Sequence, residues 1–145
     1  MDFNGHMANT AYLDFSVDTR MAYFAGQGFS NSEFQQLRFG PVVKNDYVEY
    51  YREIRLMDRF TVQLEISGLA DDASRFRIVN SFFLKDGQPA AKVTTVGGWL
   101  SFTERKLIIP PDGVRTALSN LSRTEDFEVF PSSIKSQGNH IQGLD

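Results

Sequence analysis

Residues 2–13 read Asp-Phe-Asn-Gly-His-Met-Ala-Asn-Thr-Ala-Tyr-Leu, and the reading of this stretch decides the rest. Asp2, Asn4, His6 and Asn9 crowd four polar groups into eight positions around Gly5, and an apolar helical pattern begins at once afterwards. A carboxylate beside a turn that opens a helix sets a general base or nucleophile next to backbone N–H donors. The same residues read equally as turn and N-cap residues, with Asn9 capping the helix through its side chain.

The run resembles the Asp…Gly-His-x-Asn-Asn-x-x-Tyr signature of hotdog-fold acyl-CoA thioesterases of the 4-hydroxybenzoyl-CoA thioesterase group. Asp2, Gly5, His6, Asn9 and Tyr12 fall on its positions; Ala8 replaces the first of the paired asparagines. The resemblance extends through the order of elements to about Pro111. It implies an α+β hotdog fold, an antiparallel sheet wrapped around one long central helix. It also implies hydrolysis of an acyl- or aroyl-CoA thioester, with Asp2 as nucleophile or general base and the N–H near Asn9 polarising the carbonyl. The family places a strand before the Asp motif, whereas only Met1 precedes it here, so the leading strand is expected to be absent or truncated.

Bulk properties narrow the field independently. With 145 residues the chain has single-domain length: a domain over 1–130, then a polar tail of Ser, Gln, Gly and Asn over 131–145. A net charge of -3, with 15 basic residues scattered among 18 acidic ones, argues against general nucleic-acid binding. Without cysteine there is no disulfide, thiolate nucleophile or thiolate metal ligand, and two histidines are too few for a His-rich metal site. No metal and no cofactor are expected. No run approaches a membrane span and no signal-peptide pattern opens the chain, so the expected compartment is the cytoplasm.

Along the chain, Thr10 to about Gly28 is helical, with Ala11, Phe15 and Ala22 on one stripe and Leu13, Val17, Met21 and Phe24 on another. Two stripes imply a helix buried around most of its circumference, with Asp14 and Asp18 on the remaining side. A short helix is expected around Ser32–Phe39, and strands begin after Gly40-Pro41. Alternation predicts strands over 47–56, 60–69, 75–84 and 89–102, with a possible extension over 106–109 and a hairpin at Asp86-Gly87. Val114–Leu121 reads as an amphipathic helix. His140, in the tail, is read as incidental.

A thioester has a good leaving group and needs only a carboxylate and donors for the developing oxyanion. Asp2 and the unpaired N–H groups near Asn9 and Thr10 meet those needs, and His6 either positions substrate or water or is a turn histidine. Tyr12 matches a family position and reads also as packing. Gly97-Gly98, inside a strand pattern, marks a bulge or a close backbone approach that leaves room for an acyl chain. Arg75 lies closest to the stretch where relatives carry cationic CoA contacts, with Asp71-Asp72 just before it; Arg77 and Lys106 are the other candidate cations. The 13 phenylalanines and five tyrosines suit a core and an apolar pocket alike. A lone subunit of this fold exposes a sheet edge and a helix flank, so a homodimer or homotetramer with sites at the subunit interface is expected. A non-catalytic acyl-CoA-binding or interaction protein is the alternative. A hotdog enoyl-CoA hydratase fits less well, because Gly5 stands where that motif has proline.

Overall fold

The computed structural model describes residues 8–55 and 57–134. Asp2 and His6, and the 135–145 part of the tail, lie outside them. The elements are α1 (Asn9–Gly26), α2 (Asn31–Leu37), β1 (Phe39–Tyr50), β2 (Phe60–Ala70), β3 (Arg75–Leu84), β4 (Pro89–Ser101), α3 (Asp112–Ser119) and β5 (Arg123–Phe130).

Ala8, in extended backbone (φ -69°, ψ 153°), occupies the N-cap of α1, so Asn9 is the first helical residue rather than the cap. The helix ends at Gly26 with Gln27 as its cap; Gly28 beyond it takes a φ of 97° that suits glycine, and Phe29 N–H returns to the Phe24 carbonyl. The Ser30 hydroxyl caps α2 by accepting from Glu33 N–H, and Arg38 ends it in the left-handed conformation.

β1 starts at Phe39, so Gly40-Pro41 lies inside the strand and does not precede it. Proline is tolerated because β1 is an edge. The strand expected over 47–56 already ends at Tyr50, where β1 leaves β4; Ile54 is buried as the anchor of the loop that follows. β2, β3 and β4 stand close to where alternation put them. Of the extension over 106–109 only an isolated bridge, Leu107 with Leu100, forms.

The sheet order is β1-β4-β3-β2-β5. All pairings are antiparallel except β5 on β2, which is parallel, so the sheet is mixed and not purely antiparallel as expected. The crossover is made by α3, in accord with the rule that parallel neighbours need one. Phe130 locks β5: its ring covers the Cα of Gly68, and the Arg75 and Arg77 guanidinium groups stand 4.5 and 5.1 Å from its centroid.

All three expected helices form, and α1 is the longest of them, packed on β2 and β4. Its buried face carries Tyr12, Ser16, Arg20 and Phe24, spaced by four. Phe15 and Val17, expected inside, are 40% and 43% exposed, so within one chain α1 is buried on one side only. Asp14 and Asp18 are exposed, on the side left free. Apolar packing falls into two clusters. One gathers Phe24, Phe34, Phe39, Phe76 and the fully buried Trp99, whose indole N–H donates to the Ala73 carbonyl. The other gathers Tyr12, Ile54, Phe82, Ala91 and Val93.

Candidate functional site

The first turn of α1 carries backbone donors without partners inside the helix. The Ala11 N–H already bonds the Ala8 carbonyl, which leaves the N–H groups of Asn9 and Thr10 without intrahelical partners, at the positive end of an 18-residue helix. Donors so placed at a helix N-terminus are of the kind that can receive an oxyanion.

Tyr12, one turn on, is buried. Its ring meets Tyr50 and Phe82 edge-on at centroid distances of 5.3 and 5.2 Å. Burial raises the pKa of its hydroxyl, opposed in part by a hydrogen bond accepted from the Ile54 N–H. The Tyr12 ring thus lies in the second apolar cluster, one turn past the helix start.

Arg75, Gly97 and Gly98 come together elsewhere. They line a cavity of about 490 Å³ with Val42, Lys44 and Leu107, and with Ser132 and Ser133 of the segment after β5. A Cβ on Gly97 would collide with the Val42 carbonyl and the Phe76 ring, and one on Gly98 would come within 2.9 Å of the Ser74 carbonyl. Backbone meets backbone here, opposite a bulge at Val43/Asn45 of β1. Among the described residues no carboxylate lines the cavity, and Arg75 has no ion-pair partner. The other two candidate cations are engaged: Arg77 pairs with Glu128 at 2.9 Å and Lys106 with Glu104 at 3.3 Å. Asp72 is turned away into a serine clasp, accepting from the Ser74 N–H and the Ser132 hydroxyl. Burial works to raise its pKa, but these hydrogen bonds prevail and hold it below the ordinary carboxylate value.

This cavity and the helix start are not together within one chain. Arg75 opens β3 and Phe82, beneath Tyr12, nearly closes it, which separates them by roughly 23 Å of strand. Phe76 faces α1 through Trp99 and Phe24, so its neighbour Arg75 faces the opposite side of the sheet.

Sequence reading passed over a second polar group under the middle of α1. The buried Arg20 guanidinium donates to Thr95 Oγ1 at 3.1 Å, and Thr95 donates to the Asp46 carboxylate. Burial lowers the pKa of Arg20, and the Asp46 charge opposes that shift. An arginine on an apolar helical face was the available signal. Lys44, Ser132 and Ser133 carried none, since only strand register brings them to Arg75. Among the described residues no group of His, Asp or Glu is placed to hold a metal ion, and no helix is long and apolar enough to cross a membrane.

Residues 1–118 match the sequence model of the thioesterase-like superfamily. Comparison with curated protein sequences finds no match. Among solved structures, a Staphylococcus aureus protein characterised in complex with CoA is similar over 100% of this chain and 88% of its own, with a TM-score of 0.77 and 20% identity. A 1,4-dihydroxy-2-naphthoyl-CoA thioesterase from Synechocystis is similar over 83% of this chain and 88% of its own (TM-score 0.73, 19% identity). A Thermus thermophilus thioesterase complexed with coenzyme A and Zn is similar over 81% and 82% (TM-score 0.65, 28% identity). The first two likenesses, at these identities, are likenesses of fold.

Proposed function

The chain belongs to the thioesterase-like superfamily, and from that premise we propose that it hydrolyses acyl- or aroyl-CoA thioesters. The observation that carries the reading is the pair of N–H groups at Asn9 and Thr10 with no partner inside the helix, a few residues downstream of Asp2. In this reading the thioester oxygen sits at those donors. Asp2 attacks the carbonyl or draws a proton from water, His6 orients substrate or water, and Tyr12 walls the acyl side. Where Asp2 attacks, the C–S bond breaks, the thiolate takes a proton, and water then hydrolyses the acyl–Asp2 anhydride to release the acid and restore the carboxylate. Where Asp2 draws a proton from water, the hydroxide formed attacks the carbonyl, the C–S bond breaks, and the thiolate takes up that proton as the acid is released. That similar structures hold coenzyme A supports the choice of thiol.

Arg75, with Lys44, receives the phosphates of coenzyme A in the cavity beside Gly97 and Gly98. Since that cavity and the helix start are far apart in one chain, the site is completed by a second copy. Among the described residues β1 has no neighbour on its outer side, where Tyr47 is 63% exposed, and the exposed Phe15 and Val17 of α1 flank it. Antiparallel pairing of β1 with its own copy carries the second copy's Lys44–Arg75 cavity to the end of the joined sheet where α1 begins. A homodimer is the minimal active unit, acting in the cytoplasm.

Free-thiol release from short, medium, long and aromatic acyl-CoA esters tests the reading. Asp2→Asn should lower kcat by about 100-fold or more, while folded wild-type protein that turns over no ester would sink it. Non-catalytic acyl-CoA binding is favoured by Ala8, which stands at the helix cap where the family motif has asparagine; it predicts saturable binding without thiol release.

A further inference from the structure

Two turns meet at the end of the sheet where β1 begins and β4 stops. α2 passes into β1 through Leu37-Arg38-Phe39, and β4 runs out through Phe102-Thr103-Glu104-Arg105 before the chain returns as Lys106-Leu107. Backbone hydrogen bonds join the two. Phe102 N–H donates to the Arg38 carbonyl, Arg105 N–H to the Ser101 carbonyl, and Ser101 N–H to the Lys106 carbonyl. Phe39 and Trp99 pack together on the side of α1, so their neighbours Gly40 and Gly98 face the other way. The Phe102 ring lies over Gly40 and Leu107 stands beside Gly98, which puts both on the helix-free face.

These turns expose an apolar group ringed by cations. Leu37, Phe102 and Leu107 are 49%, 38% and 47% exposed. Arg38, Arg105 and Lys106 stand exposed among them. The acid of the turn, Glu104, reaches Lys106 at 3.3 Å, and neither Arg38 nor Arg105 makes an ion pair among the described residues. Leu107 also lines the cavity of Lys44 and Arg75, so the cationic surface continues into it. Asp72, at the margin of that cavity, is engaged by Ser74 and Ser132. A chain of net charge -3 thus gathers cations at one end of its sheet.

The backbone adds a second observation. Arg38 and Arg105 both hold the left-handed conformation, with φ of 61° and 58°. Glycine and asparagine take that conformation at least cost. Arginine at both positions works against the fold, so the two cations answer to something outside it.

We infer that this end of the sheet is a docking surface for an anionic lipid bilayer. Exposed apolar side chains set among Arg and Lys are the combination that interfacial attachment uses: the apolar groups enter the acyl boundary while the cations meet headgroup phosphates. A guanidinium receives a phosphate through two parallel hydrogen bonds, which favours arginine over a neutral turn residue. A second copy of the same surface would bring like charges together, whereas an anionic bilayer complements them. The inference goes beyond thioester hydrolysis and does not depend on it.

The experiment is co-sedimentation of the full chain with vesicles of phosphatidylcholine, alone or with about one-third phosphatidylglycerol. Partitioning should rise by about 10-fold or more with the anionic lipid and fall back in about 1 M salt, where charges are screened within about 3 Å. Arg38→Gly and Arg105→Gly should each lower it about fivefold. Their Tm should hold or rise, since glycine fits both backbones, so that lost binding is not lost folding. Leu37→Ser should weaken attachment as well, because apolar insertion contributes separately from charge. No binding, equal binding to both vesicles, or binding that both glycine variants leave intact overturns the inference. Binding to polyglutamate but to no vesicle, lost in the same variants, overturns it likewise and assigns the surface to an acidic protein.

Discussion

Gly97 stands where the β1 backbone leaves no room for a side chain, since a Cβ there meets the Val42 carbonyl and the Phe76 ring. Gly97→Ala should therefore destabilise the fold by about 1–3 kcal/mol in urea unfolding. Gly26→Ala, in a helical turn with nothing within 4 Å of the added Cβ, should be neutral or stabilising by up to about 1 kcal/mol. A measured order opposite to this would refute the packing argument. Asp72 supplies a pH-dependent case. Its folded pKa lies below the ordinary 3.8, so what its clasp of Ser74 and Ser132 contributes is whole above that value and is lost as pH falls through the depressed one. Asp72→Asn should melt below wild type at pH 7, and the two should converge as pH falls through the depressed value. Two glycines interrupting a β-branched strand were readable as a close backbone approach. Lys44 and Ser132, which share the cavity with them, were not: they stand far from Arg75 in sequence and reach it only through register.

Between elements, the tie of α1 to the sheet runs through one buried cation. Removing the Thr95 hydroxyl leaves the Arg20 guanidinium without its partner. Thr95→Val should thus cost about 1–3 kcal/mol. Arg20→Met in the same background should recover part of that loss, because two apolar replacements leave no orphan. Additive effects in the double-mutant cycle would show the pair to be uncoupled. Alternation made β2, β3 and β4 legible, since each buries one face. It overran β1, because Ile54 continues the pattern as a loop anchor after pairing has stopped. β5 escaped notice for the converse reason: it is largely exposed along its length and offers no apolar period, its place being fixed by the Phe130 ring on Gly68. The buried face of α1 was misplaced by the serine and arginine at its centre, which apolar counting passes over.

For the whole molecule, the proposed dimer rests on the outer side of β1, which has no neighbour among the described residues, and on the distance between helix start and cationic cavity. Sedimentation should show a dimer, and Tyr47→Lys, which puts a charge on that exposed edge, should shift it toward monomer at equal concentration. Thiol release should fall in parallel with the dimer fraction, whereas a fully active monomer would contradict the shared site. The opposite edge carries a different consequence, one of timing. β1 lies at one side of the sheet and waits for β4, and β2, made next, has its outer side covered only by β5. On the ribosome, therefore, no strand finds its neighbour in the order of synthesis until β3 folds back on β2. The flank of β2 stays open until Phe130 has cleared the exit tunnel. A message ending before Arg123 would release a sheet with two bare sides, prone to pair with its neighbours, so the last strand acts as the seal on a nascent chain.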